Sequence, residues 1–262
     1  MRILVTNDDG ILAPGLAALY AAVADLGEVT VVAPSSPQSA TGHGITLEGP
    51  IVTERVHVRS AHSQEDFWGV SVAGRPADCV KLAMHELADG PVDLVLAGIN
   101  PGSNVGVNVL YSGTVAAAAE GAMMGARAVA FSMATSEEMD FDRAARICRR
   151  VLDVLLAGGL EPGHLINVNL PRLAGDWPRG VCVAPQSVSG IDEQYDCRTD
   201  AEGRKRFWLT DEYGFKDPHP DSDVTAIHNG YITVTPLHVD LTDTSRMTPL
   251  SGVNWGELSA DE

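Results

Sequence analysis

Within its first 33 residues the chain spells strand, helix and strand, an order that dictates how the rest must be assembled. Ile3-Leu4-Val5 is a short apolar run with the character of a buried parallel strand, and Gly10 closes the turn behind it. Pro14 suits the first position of a helix, where a missing N–H costs nothing. Leu16, Leu19, Tyr20 and Val23 follow at i, i+3, i+4 and i+7, and Gly27 is placed to cap the end. Val29-Thr-Val-Val-Ala33 reads as the second strand. Such a βαβ unit requires parallel pairing and a right-handed crossover.

The unit recurs. Pro76 opens a helix with Val80, Ala83, Met84 and Leu87 on one face, and Asp93–Ala97 is the next strand. A helix of small residues runs from about Thr114 to Gly125, before a strand at Ala128–Ser132. Ala144, Ile147, Cys148, Val151 and Leu155 mark another amphipathic helix, and Leu165–Leu170 another strand. This alternation predicts a three-layer α/β/α fold, Rossmann-like, with a mainly parallel sheet. It stops near Pro185. Ile191–Arg198 and Arg204–Thr210 are expected to pair as a hairpin around Asp200–Gly203, and Gly230–Leu237 reads as a late strand. The chain is therefore expected to form a single domain over residues 1–262. Within it, 186–230 is a protruding arm, and 231–262 hold the late strand and a C-terminal tail. Tyr195, Phe207, Trp208, Tyr213 and Phe215 crowd the arm, which suits self-association; a loop folded back on its own domain is the plainer alternative.

With 262 residues, 45% of them hydrophobic, the chain can bury a substantial core. Its formal net charge of −17 argues against polymeric nucleic acid as a partner, but not against small anions held by local positive potential. Cys79, Cys148, Cys182 and Cys197 form no Cys-x-x-Cys pair, as expected of reduced thiols. With neither a secretion-signal pattern nor an apolar run long enough to span a bilayer, the expected location is the cytoplasm, away from membranes.

Chemistry points to the carboxyl ends of the strands, where open α/β sheets bind ligands. The first loop carries Asn7, Asp8 and Asp9, and two adjacent carboxylates repel unless a cation lies between them. A hard divalent metal would turn that repulsion into coordination, although Asn-Asp-Asp-Gly is also an ordinary turn sequence. The second loop, Pro34–Gly44, is rich in hydroxyls and includes Ser39. The third, Gly98–Asn108, supplies glycines and hard asparagine carbonyls and leads to Tyr111-Ser-Gly-Thr-Val115 at a helix start. Close backbone approach and unpaired N–H groups there would make an anion site without a basic side chain, with an ordinary Gly/Asn-rich turn as the plainer alternative.

Met1–Gly10, Ser39-Ala-Thr-Gly-His43, Pro76-Ala-Asp-Cys-Val80, Gly98-Ile-Asn100, Ser112-Gly-Thr-Val115 and Gly230–Leu237 resemble, in order, the signature segments of the SurE family. These are the stationary-phase survival proteins, metal-dependent 5′/3′-nucleotidases. The resemblance implies one divalent ion per subunit, Mg²⁺ or Mn²⁺, held by Asp8, Asp9, Ser39 and Asn100. It also implies hydrolysis of nucleoside monophosphates and homodimers or homotetramers built through the arm. Two carboxylates and two neutral donors would leave a divalent cation nearly neutralised, which a phosphate dianion tolerates. On this reading Asn104, Ser112, Gly113 and Thr114 bind the phosphate, and Asp8 or Asp9 accepts the proton of an attacking water. Adjacent rather than alternate aspartates argue against a phosphoryl-aspartate route.

His43 is a candidate acid or base, with a structural role as the alternative. Arg75 stands where the family typically has threonine; its expected place is solvent, with contact to substrate phosphate as the alternative. Two rivals remain. A dinucleotide-dependent oxidoreductase would need Gly-x-Gly-x-x-Gly after the first strand, which is missing. A non-catalytic nucleotide-binding stress sensor could use the same anion loops.

Overall fold

The computed structural model describes residues 1–59, 66–175, 177–210 and 214–255. Its first strand, β1 (Arg2–Thr6), leads through α1 (Pro14–Val23) to β2 (Glu28–Pro34), with Ile3 opposite Val29 in parallel register. There follow β3 (Thr53–Val58), β4 (Phe67–Val72), α2 (Pro76–Leu82), β5 (Leu94–Pro101), α3 (Gly113–Met123), β6 (Arg127–Met133), α4 (Phe141–Ala157) and β7 (Leu165–Leu170). The remaining strands are β8 (Val181–Val183), β9 (Ile191–Asp192), β10 (Tyr195–Thr199), β11 (Lys205–Leu209), β12 (Gly214–Phe215) and β13 (Ile232–Leu237). The helices α5 (Asp223–His228) and α6 (Thr244–Ser251) flank β13.

Among the described residues nine strands form one sheet in the order β3-β4-β2-β1-β5-β6-β7-β13-β8. From β4 to β7 every pairing is parallel, while β3 and β13 run antiparallel to their neighbours β4 and β7. Period-two alternation divides the strands between two cores. Ile3, Val5, Leu94, Leu96, Val129 and Phe131 face one side, where α1 and α4 supply Leu16, Leu19, Cys148 and Leu152. Leu4, Val95, Ala97, Ala128 and Ala130 face the other, against Cys79 and Val80 of α2 and the alanines of α3. The second face is the smaller in side-chain volume, and α3 therefore lies close to the sheet. A Cβ on Gly121 would come within 2.5 Å of Val95. That closeness governs the functional edge, because the same helix presents its N-terminus there.

Several local expectations are revised. The β3–β4 hairpin, which extends the sheet beyond β2, was hidden by the polar residues of Thr53–Val58, most of them exposed at the edge. The helix after Pro76 is regular only to Leu82 and finishes as a π-turn over Ala83–Leu87. Gly27 is not a left-handed cap: its backbone is extended, and it is needed because a Cβ would meet the Met1 carbonyl oxygen at 2.1 Å. In the arm, β10 and β11 pair antiparallel around Asp200–Gly203 as expected. The predicted strand Ile191–Arg198 breaks after Asp192, however, because β9 pairs with β12 instead. Tyr213 and residues 256–262 of the expected tail lie outside the described residues.

Candidate active site

Three loops meet at the carboxyl edge because backbone hydrogen bonds tie them together. Asn7 closes the first turn on itself, its side chain donating to the Gly10 carbonyl (3.0 Å) and accepting from the Gly10 N–H (3.1 Å). Gly10 has φ +105°, a conformation that side chains disfavour. The second loop is drawn in by Gln38, whose N–H donates to the Asp8 carbonyl at 2.7 Å. Further along, the Gly42 N–H donates to the Tyr111 carbonyl (3.0 Å), fastening this loop to the segment before α3. The third loop leaves β5 through a register shift between Ala97 and Asn100, an irregularity that re-aims the chain.

Asp8 is buried against the start of α3. A Cβ on Gly113 would lie 2.8 Å from the Asp8 Cβ, so glycine is what allows helix and carboxylate to touch. The Thr114 hydroxyl donates to Asp8 Oδ1 at 2.5 Å. Burial raises the Asp8 pKa, opposed by that hydroxyl and by backbone N–H groups that include Gly113 and Thr114. The N-terminus of α3 thus serves the first carboxylate. Asp9 lacks such support. Among the described residues its buried Oδ2 finds no hydrogen-bond partner, and burial together with the Asp8 charge pushes its pKa up to about 7.

A cavity of about 620 Å³ opens over this pair. Asp8, Asp9, Ser39, Asn100, Asn104 and Ser112 all line it, so six of the eight residues singled out from the sequence share one space. Asn100 donates its amide nitrogen to the Gly102 carbonyl at 2.6 Å, leaving its oxygen as the donor for a cation. Among the described residues no three His, Cys, Asp or Glu side chains cluster as a metal site. Any cation here must combine the acidic pair with neutral oxygens. The orphaned Asp9 oxygen, in a cavity that Ser39 and Asn100 also line, fits a hard divalent ion and not a soft one.

Gly113 and Thr114, expected to contact phosphate, make contact with Asp8 in this structure. Neither lines the cavity, because both are turned to Asp8. His43 is also drawn away: its Nε2 lies 2.8 Å from Glu120 Oε2, and Lys81 reaches the other oxygen of that buried carboxylate at 3.1 Å. Arg75 is exposed, as expected, and its guanidinium lies alongside Gly44.

Two groups of residues went unread. Asn167 and Asn169 of β7 are buried, one residue apart on the same strand face. Asn169 Oδ1 accepts from the Asn104 N–H (2.7 Å), and Asn167 Nδ2 donates to the Asn104 carbonyl (2.8 Å). Two amides in an otherwise apolar central strand were the available signal. The second group is Ile191, Glu193, Tyr195 and Leu209, through which the arm forms part of the cavity wall.

The family model described as "Survival protein SurE" matches residues 3–193. A protein named 5′-nucleotidase SurE from Syntrophobacter fumaroxidans is 46% identical, the alignment covering 92% of this chain and 95% of the relative. Another, 5′-nucleotidase SurE 1 of Thermus thermophilus, is 43% identical over 97% of this chain and 98% of its own. The crystal structure of the SurE protein from Aquifex aeolicus superposes with a TM-score of 0.79 at 35% identity, covering 96% of this chain and 98% of that one. With its mainly parallel sheet, its acidic turn after β1 and these relatives, the chain belongs to the SurE family.

Proposed function

We propose that this protein is a 5′-nucleotidase that hydrolyses nucleoside monophosphates to nucleoside and phosphate, with a divalent metal, Mg²⁺ or Mn²⁺, held by Asp8, Asp9, Ser39 and Asn100. The observation that carries the reading is the adjacent pair of carboxylates, Asp8 buried and Asp9 half-buried with one oxygen orphaned, in a cavity that also brings up the neutral oxygens of Ser39, Asn100, Asn104 and Ser112. The names of the relatives, 5′-nucleotidase SurE, supply the reaction class. A divalent ion bound there would polarise the phosphoryl oxygens and lower the pKa of a water.

The protein groups supply position and charge complementarity, the main demands of a loose phosphoryl-transfer transition state. Ser112, at the N-cap of α3, and Asn104 lie on the cavity wall and hold the phosphate oxygens. Asn167 and Asn169 fix the Asn104 backbone so that its amide is preorganised. Gly113 and Thr114 hold Asp8 in place. Asp9, whose Oδ2 has no hydrogen-bond partner among the described residues, is the better placed of the two to accept the proton of the attacking water.

The arm gives the molecule a second role, assembly into homodimers or homotetramers. Phe207 and Trp208 are 61% and 48% exposed on a two-stranded arm, apolar area that a partner copy would cover. Among the described residues no helix is long and apolar enough to cross a membrane. We place the protein in the cytoplasm, where its four free thiols would remain reduced.

Phosphate release from a panel of nucleoside 5′- and 3′-monophosphates, with chelator or with added Mg²⁺ or Mn²⁺, tests the assignment. Release that requires the metal is expected. Nucleotide binding without release from any member would favour the non-catalytic sensor.

A further inference from the structure

The same cavity changes character along its length. Around Asp8 and Asp9 it is carboxylate, hydroxyl and amide; at the arm it is Tyr195, Leu209 and Ile191, with Tyr111 nearby. Tyr195 pairs directly with Leu209 across β10 and β11, so both side chains stand on one face of the hairpin, while the neighbouring pair Asp196 and Trp208 points to the other. Tyr195 is 59% and Leu209 51% exposed, leaving the ring and its partner open to a flat ligand. A phosphate group alone would fill only the acidic end. At about 620 Å³ the cavity is of the size that takes a whole drug-sized molecule.

We propose that Tyr195, backed by Leu209, is the nucleoside-binding wall of the site, stacking on the base of a nucleoside monophosphate whose phosphate lies at the Asp8–Asp9 end. This rests on the phosphatase reading above. It makes the arm a part of substrate selection as well as of assembly. Base stacking on an aromatic side chain is tolerant of base identity, because every base offers a π-face. Glu193 on the same wall is a carboxylate acceptor suited to ribose hydroxyls, and it would repel a second phosphate. Among the described residues no lysine or arginine lines this cavity to offset that repulsion.

The test compares wild type with Tyr195→Ala, Tyr195→Phe and Trp208→Ala, each in the full chain with saturating Mn²⁺. Its readout is KM for adenosine 5′-monophosphate divided by KM for glycerol 2-phosphate, a phosphomonoester without a ring. Tyr195→Ala is expected to raise that ratio roughly 5- to 100-fold, through KM and not kcat. Tyr195→Phe, which keeps the ring, should restore it, and Trp208→Ala on the opposite face should leave the ratio where it was. Equilibrium binding of adenosine alone should weaken in Tyr195→Ala by a similar factor. An unchanged ratio, or a parallel loss for both substrates, would overturn the proposal, as would a change in oligomeric mass with no change in the ratio. Failure of wild type to release phosphate from either ester would refute the phosphatase reading instead, and adenosine binding would still decide the role of Tyr195.

Discussion

A carboxylate that is buried beside another carboxylate must find a donor or a cation, and Asp8 and Asp9 divide these solutions between them. Asp8 has donors: the Thr114 hydroxyl and the start of α3. Asp9 has none at Oδ2, and its pKa of about 7 records the cost. Thr114→Val keeps the shape but removes the hydroxyl, leaving Asp8 short of a donor. We predict that Mn²⁺ affinity falls roughly 10- to 100-fold, the usual effect of losing a group that orients a metal ligand. Calorimetric titration checks this, and unaltered affinity would show the hydroxyl to be dispensable. The pair itself was legible in the sequence, because Asn-Asp-Asp-Gly behind a buried strand delivers both residues to the ligand edge. The hydrogen bond from Thr114 to Asp8 was not. A hydroxyl at a helix start suits a phosphate or a neighbouring carboxylate equally well, and only the tertiary approach permitted by Gly113 decides between them.

The principal strands and helices were readable because each repeats its apolar residues with the right period, and α3 was visible as a run of alanine and glycine. What the pattern could not give was the anchoring between elements. Glu120 on α3 is buried and receives His43 from the second loop and Lys81 from α2, so three segments converge on one carboxylate. The hydrogen bond to His43 is the largest influence holding its pKa below the ordinary value, followed among the stabilising contacts by Lys81. Because the folded value is depressed, the stabilisation is present above the unfolded carboxylate pKa of about 4.3 and is lost as pH falls through the lower folded value. Glu120→Gln should therefore lower the thermal midpoint at pH 7, with the gap to wild type closing once the pH is below both values. Thermal unfolding from pH 7 to 3 would reveal this, and a gap independent of pH would assign the effect to packing alone. The β3–β4 hairpin was unread for a different reason: its first strand is an edge strand that buries little and so shows no clear alternation.

At the scale of the whole molecule, a sheet with helices on both faces fixes the positions of three loops, and the arm contributes one wall of the space beside them. The sequence distinguished the arm from the doubly covered sheet by its aromatics and the end of the βα alternation, but its part in the cavity depended on a long-range docking that no local period encodes. Replacing both Phe207 and Trp208 by serine should lower the particle mass measured by light scattering if these rings join copies of the chain; an unchanged mass would return the arm to its own subunit. The account as a whole depends on one ion held between two carboxylates and neutral oxygens. Its most direct test is calorimetric titration of Mn²⁺ into chelator-treated wild type and Asp9→Asn, with metal-dependent phosphate release followed on the same samples. One ion per chain in wild type, with binding and turnover both reduced roughly 100-fold or more in Asp9→Asn, is the predicted result. Equal Mn²⁺ binding by the two proteins, or undiminished phosphate release under chelator, would contradict it.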